Sequence, residues 1–145
     1  MADIERKAQA TWRGDLKSGK GEVSGASGVL KGASYTFATR FENAAGTNPE
    51  ELIAAAHAAC FSMAFSNELS KQGHVPVSVE TKATVYMSMD GGPKIYKVRL
   101  ETAGKVPGID NTKFQEIARG AKDGCPVSKL LAPGLQTIEL DAKLL

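Results

Sequence analysis

Cysteine is scarce in this 145-residue chain: there are two, Cys60 and Cys125. Two thiols cannot build the multi-bridge framework of a small secreted domain, and a chain of this length buries a core without such staples. An excess of charge of either sign is also missing. Eighteen basic and 16 acidic residues leave a formal charge of +2. No basic block interrupts that balance, which argues against nucleic acid or an anionic membrane surface as a partner. Long apolar runs are absent. The longest, Leu52–Phe65, spans about fourteen residues and is broken by His57 and Ser62, too short for a bilayer crossing. The opening MADIERKAQATW is polar, unlike a secretory signal. We therefore expect a cytoplasmic protein folded as one domain over residues 1–145. In that compartment a cysteine pair points to catalysis or metal binding rather than to a structural bridge.

What is present divides into strand-like and helix-like stretches. Residues 5–40 alternate polar and apolar positions between glycines, which predicts an antiparallel meander with turns near Gly14, Gly19–Gly21 and Gly28–Gly32. The run YTFATR should be a strand that Arg40 ends. Thr47-Asn48-Pro49-Glu50-Glu51 then combines cap residues, a proline and acidic side chains, the signature of a helix start. Thr47–Glu50 and Asn48–Glu51 both have capping-box spacing, so two starts one residue apart remain open. The helix should continue to about Gln72 and stop at Gly73. Its middle is apolar nearly all round, and such a helix must be covered on every side. A chain this small struggles to do that alone, so a second subunit in a two-fold homodimer is expected to supply part of the cover.

Residues 76–104 return to strand patterning around Asp90-Gly91-Gly92-Pro93, a hairpin signal. Asp110 or Asn111 caps a second helix, with Phe114 and Ile117 on its apolar side. Gly124 ends it, Cys125-Pro126 opens a short third helix to Leu131, and LQTIELDAKLL reads as a last strand. This order is α+β.

A reactive cysteine must be a thiolate, which requires positive potential. Cys125, just before a helix-starting proline, has a local source in the helix dipole. Cys60, in mid-helix among alanines, has none, and burial would raise its pKa. As a small core residue it would be unremarkable. If it reacts, a cation must reach it from elsewhere, and Arg40 is the leading candidate because arginine keeps its charge in apolar surroundings. Glu50 is the available carboxylate to hold that arginine, with Glu51 as a lesser alternative. Glu50 and Cys60 lie about 15 Å apart along the helix and roughly 80° apart around it. They cannot touch, but a guanidinium between them approaches both. His57, one turn before Cys60, reads as a hydrogen-bonded packing residue in preference to a base or half of a metal site. Lys71, Lys122 and Lys129 read as solvated charges.

The stretch GTNPEELIAAAHAACFSMA, followed by PGID and KDGCPVS, resembles the OsmC/Ohr family of thiol-dependent peroxidases, and within it the OsmC branch. The opening AxWxGDLKSGKG and the run ending in TRFE extend the likeness over almost the whole chain. The resemblance implies an OsmC-like fold: antiparallel sheets wrapped around long central helices in an intertwined homodimer. It further implies that Cys60 is the attacking thiol, Cys125 the resolving one, and Arg40 and Glu50 the pair that activates the thiolate. Attack on an organic hydroperoxide would release an alcohol, and the sulfenic acid would close to a Cys60–Cys125 disulfide. An external dithiol, by likeness a lipoyl type, would reopen it, with no metal or cofactor. Phe61, Met63 and Phe65 around Cys60 would favour alkyl over hydrogen peroxide. Two competing readings use the same residues: a non-enzymatic redox sensor or apolar-ligand-binding dimer, and a structural zinc-bound dimer.

Overall fold

The computed structural model describes residues 3–145. Contacts divide the chain into two compact units, Met1–Leu52 and Ile53–Leu145.

In the first unit, strands β1 (Ala8–Arg13), β2 (Lys20–Gly25) and β3 (Ala33–Tyr35) form an antiparallel sheet in chain order. The β1–β2 turn is closed by side chains. Ser18 donates to the Asp15 carboxylate through its backbone N–H (2.7 Å) and its hydroxyl (2.6 Å), and the Trp12 indole donates to the Gly14 carbonyl (3.1 Å). Gly21 lies inside β2 and Gly19 immediately before it, so the turn expected at Gly19–Gly21 is instead strand entry. A side chain at Gly21 would run into the rings of Tyr35 and Trp12.

The strand expected through Arg40 ends at Tyr35, and Arg40 sits on a short helix, α1 (Phe37–Phe41). Two threonines account for the difference. The Thr39 backbone N–H donates to Thr36 Oγ1 (3.2 Å), and the Thr36 N–H donates to Thr39 Oγ1 (2.8 Å). This reciprocal cap satisfies donors that a helix start leaves open. A capping threonine pair inside an alternating run overrides the period-two pattern.

Helix α2 (Pro49–Lys71, 23 residues) begins in this unit and continues into the second. The two candidate starts resolve in favour of Asn48, whose Oδ1 accepts from the Glu51 N–H (2.8 Å). Gly73, at φ +84°, turns the chain out beyond the last turn, a conformation glycine adopts freely.

In the second unit, β4 (Ser78–Ser88) and β5 (Lys94–Lys105) pair antiparallel around Gly91 and Gly92, and β6 (Thr137–Leu144) joins β5 on its other side in parallel. A parallel neighbour requires a crossover. Helix α3 (Asn111–Gly124), helix α4 (Pro126–Leu131) and a 3-10 turn (Ala132–Gly134) supply it. The core lies here: Phe61, Phe65 and Leu69 of α2 pack with Val98 and Leu100 of β5 and with Phe114, Ile117, Ala118 and Ala121 of α3. Phe65 stacks against Phe61 and Phe114 at centroid distances of 5.7 and 5.1 Å. A hydroxyl chain from Ser62 through Thr81 to Thr102 (2.8 and 2.9 Å) ties α2 to the sheet. Lys122 is half-buried and donates to the Ile138 carbonyl (3.4 Å), so it is not the free surface charge expected.

Within the single chain, α2 is covered on one side only. His57, Phe61, Phe65 and Leu69 are buried, whereas Ala55, Ala56, Ala59 and Met63 are exposed, Met63 by 75%. Every apolar side chain of the buried core belongs to the second unit.

Candidate active site

The candidate residues fall into two pairs. In the first unit, Arg40 of α1 meets Glu50 on the first turn of α2. Its Nη2 lies 2.8 Å from Oε1, and its Nε lies 3.1 and 3.3 Å from the two carboxylate oxygens. This forked contact fixes the plane of the guanidinium, as an arginine–carboxylate pair does best. Glu50 is buried, and Arg40 packs over the Phe41 ring at 5.2 Å while one edge stays exposed. Glu51 takes no part. Its carboxylate accepts from the Thr47 hydroxyl (2.6 Å) on the outer side of the helix.

In the second unit, Cys60 and Cys125, sixty-five residues apart in sequence, meet with their sulfurs 3.2 Å apart, both as free thiols. The settings of the two sulfurs differ. Cys125 is fully buried, and its backbone closes α3 onto α4: its N–H donates to Ala121 O (2.8 Å), and its C=O accepts from Lys129 N (2.9 Å). Cys60 is half-buried and lines a groove of about 700 Å³ with Met63, Ala64, Gly120, Ala121 and Pro126. Of the three apolar neighbours expected around Cys60, only Met63 lines this groove; Phe61 and Phe65 point into the core.

Burial pushes the Cys60 thiol above its ordinary value of 9.0. The Val127 backbone N–H, on the first turn of α4, pulls it down, and the neighbouring Cys125 pushes it up. The sequence pointed to that helix start as a source of positive potential for Cys125. In the structure its Val127 donor acts on Cys60.

His57 is completely buried, and its Nε2 lies 2.7 Å from the hydroxyl of Ser128, which is itself buried. It is the hydrogen-bonded packing histidine the sequence suggested, and burial lowers its pKa below the ordinary 6.5. A neutral ring supplies no cation to Cys60. Its Nδ1 has no hydrogen-bond partner among the described residues. Ser128 was not singled out in the sequence. The available signal was spacing, because His57–Cys60 and Cys125–Ser128 are both three residues apart. Among the described residues no three His, Cys, Asp or Glu side chains group as metal ligands, and no helix is long and apolar enough to cross a membrane.

Residues 42–139 match the sequence profile of the family described as OsmC, OsmC-like protein. The chain is 54% identical over 129 residues to Peroxiredoxin OsmC of Escherichia coli (strain K12), covering 88% of this chain and 90% of the other. It is 30% identical over 109 residues to the organic hydroperoxide resistance protein OhrB of Bacillus subtilis (strain 168), covering 75% and 79%. The crystal structure of Bacillus subtilis OhrB superposes with a TM-score of 0.69 at 29% identity, over 96% of this chain and 98% of that one.

Proposed function

Since the chain belongs to the OsmC family, we propose that it is a peroxidase that reduces organic hydroperoxides to alcohols with a cysteine pair. The observation that carries this reading is the asymmetry of two sulfurs 3.2 Å apart, one on a groove and the other fully buried. A substrate reaches Cys60, whereas Cys125 is placed to meet only what Cys60 becomes.

In the proposed cycle the Cys60 thiolate attacks the terminal peroxide oxygen. The S–O bond forms as the O–O bond breaks, sulfur is oxidised by two electrons, and the alkoxide leaves as alcohol after taking a proton. The Cys125 sulfur then attacks the Cys60 sulfenic acid. The S–S bond forms, the S–O bond breaks, and the Cys125 proton departs with the hydroxyl as water. An external dithiol, proposed as a lipoyl type, reduces the disulfide by exchange. This chemistry calls on no metal or cofactor.

Attack near neutral pH needs a thiolate, while burial favours the neutral thiol. We assign the compensating field to Arg40, held by Glu50, in the assembled protein. A guanidinium with a fixed plane also stabilises charge on the departing alkoxide. The assembly proposed is a homodimer over one family domain, residues 1–145. A second subunit lying on the Ala56–Ala59–Met63 stripe would remove from water an apolar face that one chain leaves open.

The test is peptide mapping by mass spectrometry after one equivalent of cumene hydroperoxide, with turnover followed in a dithiol. The expected result is a mass loss of two hydrogens in a Cys60–Cys125 crosslinked peptide, with repeated peroxide consumption. Cysteines left unoxidised would sink the reading, and stoichiometric oxidation without turnover would make the protein a sensor. Rates with tert-butyl or cumene hydroperoxide should exceed those with hydrogen peroxide.

A further inference from the structure

Two side-chain contacts join α2 to the region of α4, and they are in register. Cys60 meets Cys125 at 3.2 Å, and His57 meets Ser128 at 2.7 Å. Three residues separate the partners on each side. Residues three apart on a helix lie on the same face, so the contacts form two adjacent rungs with the chain directions opposed. The thiol rung must change during the reaction: a covalent S–S bond of about 2.05 Å has to form where the sulfurs now stand 3.2 Å apart. The His57–Ser128 rung has no such step to make.

From this register we propose that His57 and Ser128 are positioning residues that hold Cys125 over Cys60 while the sulfenic acid is resolved. The backbone of Cys125 is held at Ala121 O and Lys129 N, which leaves the direction of its side chain to the short helix that follows. Helix α4 has six residues, its cap residue is Cys125 itself with no side-chain capping bond, and Pro126 brings no N–H. The buried hydroxyl of Ser128 reaches across to His57 from the next turn.

The unpaired His57 Nδ1 supports a role beyond packing. With Nε2 bonded to Ser128, neither neutral tautomer gives the buried Nδ1 a partner among the described residues. Replacing both members of a buried polar pair by apolar groups of similar shape is near neutral or stabilising, so an aliphatic pair would serve packing at least as well. What it would lose is direction. A hydrogen bond sets the rotation of α4 about its axis, and that rotation aims the Cys125 sulfur.

This inference rests on the proposed Cys60–Cys125 chemistry, and its test separates the two. Wild type, Ser128→Ala, His57→Gln and His57→Leu would be mixed with limiting cumene hydroperoxide, following disulfide closure relative to sulfenic acid formation by quenched-flow mass spectrometry. Over-oxidised Cys60 sulfinic acid would be counted per equivalent added. Ser128→Ala should slow closure relative to attack by about fivefold to tenfold, the loss expected for one neutral hydrogen bond, with a matching rise in sulfinic acid. His57→Gln, whose amide nitrogen reaches where Nε2 stood, should restore closure, whereas His57→Leu should not, even if it is as stable as wild type. Equal closure in Ser128→Ala and wild type would overturn the inference, as would His57→Leu behaving like His57→Gln. A wild type that forms no Cys60–Cys125 disulfide would overturn both this inference and the peroxidase reading. If His57→Leu does not fold, the conservative hydroxyl deletion in Ser128→Ala decides.

Discussion

The backbone N–H of Val127 opposes the effect of burial on Cys60, although the two residues are 67 positions apart and lie on different helices. The start of α4 therefore meets both cysteines. Cys125 is its cap residue, and Val127 on its first turn lowers the Cys60 pKa against the effect of burial.

The unequal roles proposed for the two sulfurs lead to unequal mutants. Cys60→Ser should abolish peroxide consumption. Cys125→Ser should release about one equivalent of alcohol per site and then stall, with Cys60 advancing to the sulfinic acid as peroxide is added. Mass spectrometry of the Cys60 peptide checks this, and sustained turnover by Cys125→Ser with a dithiol would remove Cys125 as the resolving residue.

Arg40→Ala tests the source of the field. Cys60 alkylation by iodoacetamide near neutral pH should slow by about tenfold, and the inflection of its rate–pH profile should move up by about one unit. The sign follows from charge: a cation favours the thiolate, so its loss raises the pKa. The variant also leaves the buried Glu50 carboxylate without its partner, costing on the order of 1–3 kcal/mol in denaturant unfolding. An unchanged alkylation profile would remove Arg40 from the site.

The exposed stripe on α2 supplies a test of assembly. Ala59→Arg should convert a dimer into a monomer in sedimentation velocity, because a charge placed in the middle of an apolar interface is left unpaired. A variant that sediments like wild type would place any subunit contact elsewhere.

Phe65 is completely buried between two other aromatic rings. Phe65→Ala should cost about 3–5 kcal/mol in denaturant unfolding, combining lost transfer free energy with a cavity. A cost below about 1 kcal/mol would show that the core collapses around the gap.

His57 makes stability depend on pH. Its folded pKa lies below the ordinary 6.5 because burial disfavours the imidazolium. Below that value the unfolded chain binds the proton more readily than the folded one, so unfolding free energy rises with pH. The contribution is fully favourable above about pH 6.5 and is lost as pH falls beneath it. Relative to His57→Gln, wild type should lose stability between about pH 7 and pH 5 in urea titrations. A constant difference between the two proteins would contradict the buried neutral imidazole.

Much of this was legible along the chain. The cap at Asn48, the stop at Gly73, the hairpin around Asp90–Pro93 and the proline-led helix after Cys125 are local signals, satisfied by neighbours in sequence. The Arg40–Glu50 pair was legible as a charge in need of a partner near a helix start. The Thr36–Thr39 cap that makes α1 a helix is masked in the sequence because alternation in YTFATR imitates a strand. The pairing of His57 with Ser128 left only the matched three-residue spacings as a trace, and that of Val127 with Cys60 left none, since both join segments distant in sequence.

Residue types along the chain set out the available chemistry: two thiols, one forked cation, one carboxylate at a helix start, and an apolar helix too rich in alanine to bury itself. Each of these is a property of residue type and of periodicity along the chain. Which thiol faces the groove, which is buried, and which backbone donor lowers the Cys60 pKa were settled by the packed fold. Those outcomes depend on where the crossover of α3 and α4 returns to α2. That return is set by packing of Phe61, Phe65, Phe114 and Ile117 across distant segments, and no local pattern encodes it.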